Sequence, residues 1–167
     1  MANTDMICMK VSGLTIDPFT NMPIIILKDA AEGVALPIWI GLIEASAIAT
    51  VLEKVELARP MTHDLMKDML ERMGAQVEKV TIEDLADQTF FSEITLLFQG
   101  KQLSFDSRPS DAIALALRTQ APIYVSKAVF EKSRRIQNPS SEHDLKAQKW
   151  AEILDNLAPE DFGKYKM

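Results

Sequence analysis

The sequence predicts an α+β fold: a largely antiparallel sheet, three helices packed against it and a helical C-terminal appendage. Two observations predict it. Runs with the alternating or β-branched character of strands fill the first third of the chain and return after residue 75. Between and after these runs lie segments whose apolar residues recur at helical spacing.

Composition and charge narrow the possible functions. The 167 residues are 47% hydrophobic and 25% charged, which is typical of one soluble globular domain with an appendage. No apolar run approaches the roughly 18 residues of a membrane span, and the N-terminus lacks a signal-peptide pattern. The single cysteine, Cys8, favours a cytoplasmic location and is expected in the core. The net charge of −6 argues against a broad nucleic-acid-binding surface but allows a local basic cleft.

The first third of the chain predicts a three-stranded meander. Its strands carry the sequences MICMKVSGL, MPIIILKD and VALPIWI. Asp17-Pro18 supplies turn chemistry after the first strand, and Glu32-Gly33 supplies it after the second. Pro37 within the third strand indicates a sheet edge or a bulge, because proline cannot donate to a ladder.

Two helices follow the meander. The first opens at Gly41 and continues to the segment before Pro60. The second has Thr62 as its predicted N-cap, Asp64 in its first turn and Gly74 just past its end. We expect the apolar stripe of this second helix to lie in the core, since methionines commonly fill irregular core space. The stripe comprises Leu65, Met66, Met69, Leu70 and Met73.

A second group of strands surrounds a third helix. AQVEKVTI predicts one strand, and FFSEITLLFQ with QLSFDS predicts a hairpin around Gly100-Lys101. Asp106 stands at the end of that hairpin, just before the helix SDAIALALRTQ. This helix is apolar on all sides, which predicts burial on several sides. Pro122 ends it, and PIYVS forms a short final strand.

The character of the chain changes near residue 133, which divides it into a domain of residues 1–132 and a region of residues 133–167. SRRIQNPSSEHD is polar and predicts a linker. Ser141 and Asp144 resemble a capping box that opens a last helix. The apolar residues that align along this helix are Ala147, Ala151, Leu154 and Leu157.

Two motifs of the chain are similar, namely RPMTHD at 59–64 and RPSD at 108–111. Each motif places Arg-Pro just before a helix and an aspartate in the first turn of that helix. One interpretation is structural. Proline near the first helical position and aspartate in the first turn both stabilise a helix start. Arg59 would then pair with Asp106 or Asp111, and Arg108 with Asp64.

The other interpretation is a site for a phosphate-containing substrate. Arginine forks and free N–H groups at a helix start bind phosphate, and the candidates are Arg59, Arg108 and Arg118. Three carboxylates could hold a divalent cation such as Mg²⁺ or Mn²⁺ that activates water, namely Asp64, Asp106 and Asp111. His63 could act as an acid or base near neutral pH, and Glu44 could join the group. The candidate catalytic residues are therefore Glu44, His63, Asp64, Asp106 and Asp111.

Several segments together resemble the bifunctional nuclease domain family of bacteria and plants. They are LPIWIGLIEASAIATVLE, RPMTHDLM, TFFSEITLLF and DSRPSDAIALALR followed by PIYVS, within residues 5–132. The resemblance implies an α/β-type fold with a curved or mixed sheet packed with helices, and a homodimer. It also implies nuclease activity on RNA and DNA, as attributed to some plant members. The matching positions are Glu44, Arg59, Pro60, Thr62, His63, Asp64, Asp106, Arg108, Pro109, Ser110, Asp111 and Arg118.

Two functional hypotheses follow. The first is a nuclease that hydrolyses phosphodiester bonds of RNA and DNA with little sequence preference. The second is a non-catalytic dimeric binding or regulatory module that uses an arginine-lined pocket for a nucleotide or acidic ligand. A purely structural role for the charged motifs, which would hold helices together, is the third interpretation.

Overall fold

In the computed structural model, which describes residues 5–29 and 34–137, seven strands form one mixed sheet that packs with four helices. The strands are β1 (Met6–Ile16), β2 (Pro23–Lys28), β3 (Ala35–Trp39), β4 (Gln76–Ala86), β5 (Thr89–Phe98), β6 (Lys101–Ser107) and β7 (Ile123–Ser126). The helices are α1 (Leu42–Leu52), α2 (Thr62–Met73), α3 (Pro109–Thr119) and α4 (Lys127–Gln137). The predicted α+β fold is confirmed.

The strand order across the sheet is β3-β2-β1-β7-β4-β5-β6. Neighbouring strands are antiparallel except β7 and β4, which pair in parallel. The meander β1-β2-β3 and the hairpin β5-β6 are confirmed. Pro37 lies on β3, which is an edge strand, so its missing N–H is not needed by a further neighbour.

The core forms where α1 and α3 pack on the sheet. α3 is the most deeply buried helix among those described, as its uniformly apolar sequence predicts. Its buried apolar residues are Ala112, Ile113, Ala114, Leu115 and Ala116, and they join Ile25, Leu27, Val80, Ile82 and Val125 of the sheet in one cluster. α1 adds Ala45, Ile48 and Ala49 to the same cluster. No helix within the described residues is long and apolar enough to cross a membrane.

The stripe of α2 differs from its prediction. No residue of α2 is buried, and Leu65, Met66, Met69 and Met73 are exposed by 40 to 62%. Leu70 is partly buried and packs against the core, as predicted. The expected core position of Cys8 is also wrong. Cys8 is exposed because the strand alternation buries its neighbour Met9 instead.

Three element boundaries also differ from their predictions. α1 ends at Leu52, and Lys54 then adopts a positive φ of 52°, which turns the chain away from the helix. The N-cap of α2 is Met61, so Thr62 is the first helical residue. The sequence predicted no helix at α4, which continues to Gln137, so the linker predicted from residue 133 begins inside a helix. The predicted C-terminal helix and the predicted turn at residues 32–33 lie outside the described residues.

Asp17 links the turn between β1 and β2 to the edge strand β3 through hydrogen bonds. Its carboxylate accepts the Phe19 N–H at 2.9 Å, the Thr20 hydroxyl at 2.8 Å and the Trp39 indole N–H at 3.1 Å. Burial raises the pKa of Asp17, but the hydrogen bonds from Phe19, Trp39 and Thr20 lower it by more. The pKa therefore lies below its ordinary value of 3.8, and the carboxylate is ionised at neutral pH.

Trp39→Phe keeps the ring but removes the indole N–H, so the substitution tests this link. The free energy of unfolding in urea at pH 7 should fall by about 1 kcal/mol, because a hydrogen bond to an ionised group is lost. An unchanged unfolding curve would contradict a stabilising role for the Asp17–Trp39 contact.

Candidate functional site

Charged side chains from the first turns of three helices meet at one place. Glu44 belongs to α1, His63 to α2 and Asp111 to α3, while Arg108 is the N-cap residue of α3. Pro109 at the start of α3 fixes the helical backbone there without losing a needed N–H. The local rules of helix initiation thus place acidic groups and one arginine where these helices approach one another.

Arg108 links two of the helices. Its Nη1 donates to Glu44 Oε1 at 2.7 Å, its Nε to Asp111 Oδ2 at 2.7 Å and its Nη2 to Asp111 Oδ1 at 3.1 Å. The bonds to Asp111, and then the bond to Glu44, raise the pKa of Arg108, so it stays charged. The arginine side chain is nevertheless 64% exposed. A guanidinium has five N–H groups, so two of them remain for a ligand.

His63 joins this group through Asp111. Its Nε2 lies 3.0 Å from Asp111 Oδ1, and its side chain is mostly buried. Burial raises the pKa of Asp111, but the hydrogen bonds from Arg108 and His63 lower it below 3.8, so the group is ionised. A carboxylate can only accept, so Nε2 carries the proton and Nδ1 is the basic nitrogen of the neutral ring.

A second ion pair holds α2 against α3. Arg118 Nε donates to Asp64 Oδ1 at 2.5 Å, and its other nitrogens donate to the Ala114 carbonyl at 3.0 Å and the Thr50 hydroxyl at 3.4 Å. The Arg118 side chain is only 4% exposed. Asp64 Oδ2 also accepts the Met61 N–H at 2.9 Å, which caps α2. One carboxylate thus both starts α2 and attaches it to its neighbours.

A groove of about 630 Å³ opens beside the charged group. Its walls are largely apolar and come from α2, β5 and β6, with Met61, Met66, Leu70, Ile94, Leu96 and Phe105. One end, which we call the polar end, is lined by Glu44, His63, Asp106, Ser107, Arg108 and Asp111. A cleft with apolar walls and a few convergent polar groups is the usual form of a small-ligand or substrate site.

The structure brings some of the predicted residues together and separates others. Those at the polar end are Glu44, His63, Asp106, Arg108 and Asp111. Asp64 and Arg118 pair with each other and are not among the residues that line the groove. Arg59 lies exposed between α1 and α2 and takes part in none of the ion pairs found within residues 5–29 and 34–137.

The predicted pairing of Arg108 with Asp64 is wrong, because each has another partner. Arg108 pairs with Asp111 and Glu44, and Asp64 pairs with Arg118. The alternative pairing of Arg59 with Asp106 or Asp111 is not found among the described side chains. Helix packing places Arg118, rather than an Arg-Pro arginine, opposite the first turn of α2.

The carboxylates do not form a metal site in their present positions. Within the described part of the chain, no group of three or more His, Cys, Asp or Glu side chains is arranged to hold a metal ion. Both oxygens of Asp64 accept protein N–H groups, and both oxygens of Asp111 are bonded to Arg108 or His63. Asp64 and Asp111 thus already have protein partners, and the cation predicted at Asp64, Asp106 and Asp111 stays a prediction.

Sequence reasoning missed two supporting residues, Thr50 and Gly41. Thr50 is buried and accepts from Arg118, but nothing in its local sequence marks it. A Cβ on Gly41 would lie 2.1 Å from a carboxylate oxygen of Glu44, so glycine allows Glu44 to fold back over the start of α1. The signal for this contact was the glycine three residues before a glutamate at a helix start.

Residues 25–138 match the sequence profile of the family described as Bifunctional nuclease domain. The chain belongs to this family. An uncharacterized protein of Mycobacterium tuberculosis is 36% identical over 160 residues, which cover 92% of this chain and 96% of the mycobacterial protein. The similarity thus extends over nearly the whole length of this bacterial relative.

The plant proteins that this chain resembles are longer than this chain. Bifunctional nuclease 2 of Arabidopsis thaliana is 33% identical over 107 residues, which cover 62% of this chain and 32% of the plant protein. Bifunctional nuclease 2 of Oryza sativa is 30% identical over 122 residues, which cover 70% of this chain and 37% of the rice protein. The shared part therefore amounts to about a third of each plant protein.

Arg118→Leu should reduce the free energy of unfolding by about 2 kcal/mol, because it leaves Asp64 without its partner at a partly buried position. The matched control is Arg59→Leu, which removes an exposed arginine outside the observed ion pairs and should change stability by less than about 0.5 kcal/mol. Urea unfolding at pH 7 measures both. Equal effects of the two substitutions would contradict the assigned role of Arg118.

The Asp64–Arg118 pair should also give stability that depends on pH. Burial raises the pKa of Asp64, but the hydrogen bonds from Arg118 and Met61 lower it below 3.8. A lowered folded-state pKa gives stability that is present above 3.8 and is lost as the pH falls through the folded-state value. Asp64→Asn should therefore be about 1 kcal/mol less stable than the parent at pH 7, and the gap should narrow as the pH falls below 3.8 and through the lower folded-state pKa of Asp64. A gap that stays constant over this range would contradict the assignment.

Proposed function

We propose that this chain is a nuclease that hydrolyses phosphodiester bonds of RNA and DNA with little sequence preference. The observation that carries the proposal is the hydrogen bond between His63 and Asp111 beside the exposed Arg108, at the polar end of the groove. The printed names of the plant relatives support the same reaction class. Such a hydrolysis needs a base, a carboxylate that orients this base and a cation that binds phosphate, all close together.

The proposed reaction uses His63 as the base. Nδ1 takes a proton from a water molecule as the water oxygen forms a bond to phosphorus. Asp111 stabilises the resulting imidazolium through the Nε2–H bond, in the manner of an orienting carboxylate. The bond from phosphorus to the leaving oxygen breaks, and the imidazolium returns the proton to that oxygen. The two unused N–H groups of Arg108 bind the non-bridging oxygens.

The charge of the polar end limits how strongly it attracts a phosphodiester. Two carboxylates, from Glu44 and Asp111, already bind the guanidinium of Arg108, the arginine among the residues that line the groove. Much of the binding energy must therefore come from the apolar groove, where a nucleobase can stack on the exposed ring of Phe105. Stacking is tolerant of sequence, which agrees with the proposed lack of sequence preference.

A non-catalytic binding module is the second candidate. It is favoured by the largely apolar walls of the groove and by the carboxylates at its polar end. Its ligand would have an apolar body and one acidic group, since Arg108 is the arginine that lines the groove. This ligand differs from the strongly anionic one expected of an arginine-lined pocket.

The proposal includes a homodimer in the cytoplasm. The homodimer rests on the resemblance to the family. The cytoplasmic location rests on the use of a single, exposed cysteine, Cys8, which suits a reducing compartment.

The test is a cleavage assay on fluorescently labelled single-stranded RNA and DNA with purified protein. His63→Asn should lower kcat by about 100-fold to 10,000-fold, because it removes the general base while keeping a similar shape. Arg108→Ala should raise KM and lower kcat, and Arg59→Ala should leave both unchanged. Each assay is repeated with EDTA, which tests the predicted divalent cation directly.

Three outcomes separate the candidates. If His63→Asn and Arg108→Ala lose activity while Arg59→Ala keeps it, the result supports the nuclease. Equal activity in all variants means that a contaminating nuclease is responsible and contradicts the proposal. Binding of a labelled nucleotide that Arg108→Ala abolishes, without cleavage by the parent protein, favours the binding module.

A further inference from the structure

The exposed side of α2 is more apolar than the side that faces the domain. Leu65, Met69 and Met73, each four residues from the next, are 51%, 54% and 62% exposed. We call these three residues the outer stripe. An ordinary surface helix has the reverse arrangement, because its apolar side packs on the core. The partly buried residues of α2 lie on the other side of the helix and are His63, Asp64, Lys67 and Leu70.

The groove does not explain the outer stripe. Helix α2 contributes Met66 and Leu70 to the groove walls, and the residues of the outer stripe are not among those that line it. A ligand in the groove would therefore leave the stripe exposed. A helix of 12 residues is too short to be stable without packing, and α2 has no buried residue. A partner on the outer stripe would supply the missing apolar contact.

The spacing of the outer stripe suits a second copy of the same helix. Leu65 and Met73 each lie four residues from Met69, so the stripe has the same pattern when it is read from either end. Two α2 helices that run antiparallel about a two-fold axis at Met69 would place Leu65 of each copy against Met73 of the other. Contacts about a two-fold axis require such a self-complementary surface.

The charges beside the stripe are also self-complementary. Asp68 and Arg72 lie together along one flank of the outer stripe, and both are exposed. Neither takes part in an ion pair found in the described part of the chain. In an antiparallel pair the same flanks of the two helices meet, so Asp68 of each copy would face Arg72 of the other. Such a neutral flank suits a copy of itself better than a strongly charged partner.

The area of this surface indicates a weak, reversible contact. Residues of this size have about 200 Å² of accessible surface in an extended chain, so the outer stripe exposes about 300 Å² per copy. With Asp68 and Arg72, two copies would bury about 1,000 Å² in total, which lies in the range of transient interfaces. We expect a dissociation constant of about 10 to 100 µM.

We propose that the outer stripe joins two copies of this chain through an antiparallel contact of their α2 helices. The homodimer proposed above names no surface, and the stripe proposal does not rest on nuclease activity. His63 and Asp64 lie on the opposite side of α2, where they bond to Asp111 and Arg118 of their own chain. The contact would thus support α2 from outside while these bonds hold it from inside.

The experiment is sedimentation velocity of the full chain over about a hundredfold range of protein concentration around the expected dissociation constant. The parent should change from monomer to dimer as its concentration rises. Met69→Lys places two like charges at the two-fold axis and should weaken the association at least about 100-fold, which leaves a monomer throughout. Its circular dichroism spectrum should match that of the parent, because Met69 is exposed.

Met22→Lys is the matched control. Met22 is 43% exposed and lies in the turn between β1 and β2, away from α2. The same change of methionine to lysine there should leave the association of the parent unchanged.

An exchange of charges tests the antiparallel arrangement. Asp68→Arg and Arg72→Asp should each weaken the association about tenfold, because like charges then face each other across the contact. The protein with both substitutions restores opposite charges and should associate within about threefold of the parent.

Other results would overturn the proposal. A parent that stays monomeric at every concentration would assign the outer stripe to a different partner. A dimer that persists in Met69→Lys would place the contact on another surface. A double substitution that associates no better than the single ones would contradict the antiparallel pairing. No nucleic acid is present in this measurement, so a failure of the interface is distinct from a failure of the proposed nuclease activity.

Discussion

The ion pair between Arg118 and Asp64 is the interaction on which the site depends. Helix α2 contributes no buried residue, so packing alone holds it weakly against the domain. The guanidinium of Arg118 is buried and reaches Asp64, the Ala114 carbonyl and the Thr50 hydroxyl, which joins α1, α2 and α3. Because His63 is the residue before Asp64, fixing that turn also brings His63 to Asp111. The same constraint positions one wall of the groove.

The charged residues at the two ends of α3 therefore have two roles. Asp111 and Arg118 satisfy helix electrostatics at the two ends of α3, as its sequence predicts. Yet each also bonds to α2, Asp111 through His63 and Arg118 through Asp64. Arg108 precedes the helix and is the one of these residues whose charge remains largely open to solvent. Asp111 and Arg118 thus have a structural role, whereas Arg108 remains accessible for binding. The structural and the binding interpretations therefore apply to different residues of the same motif.

The sequence predicted the elements well because strand alternation, helical spacing and turn residues are local signals. It also predicted one group of Glu44, His63, Asp64, Asp106 and Asp111 with arginines beside it, but Asp64 pairs with Arg118 and does not line the groove. It did not predict which arginine meets Asp64, because that depends on how helices pack. The exposure of the α2 stripe was missed for a related reason: helical spacing identifies an apolar face but not whether another layer covers it. Cys8 was misplaced because its strand alternates too weakly to fix the phase.

The most direct test of this account is the tautomer of His63, read from the ¹⁵N chemical shifts of its ring. The chain has two histidines, so a His143→Gln protein assigns the signals without ambiguity. Wherever the ring is neutral, the parent should carry its proton on Nε2, and Arg118→Leu, in which α2 loses its attachment, should show mixed tautomers. A parent ring that is protonated at Nδ1, or that exchanges between both tautomers, would contradict the His63–Asp111 pair and the site built on it.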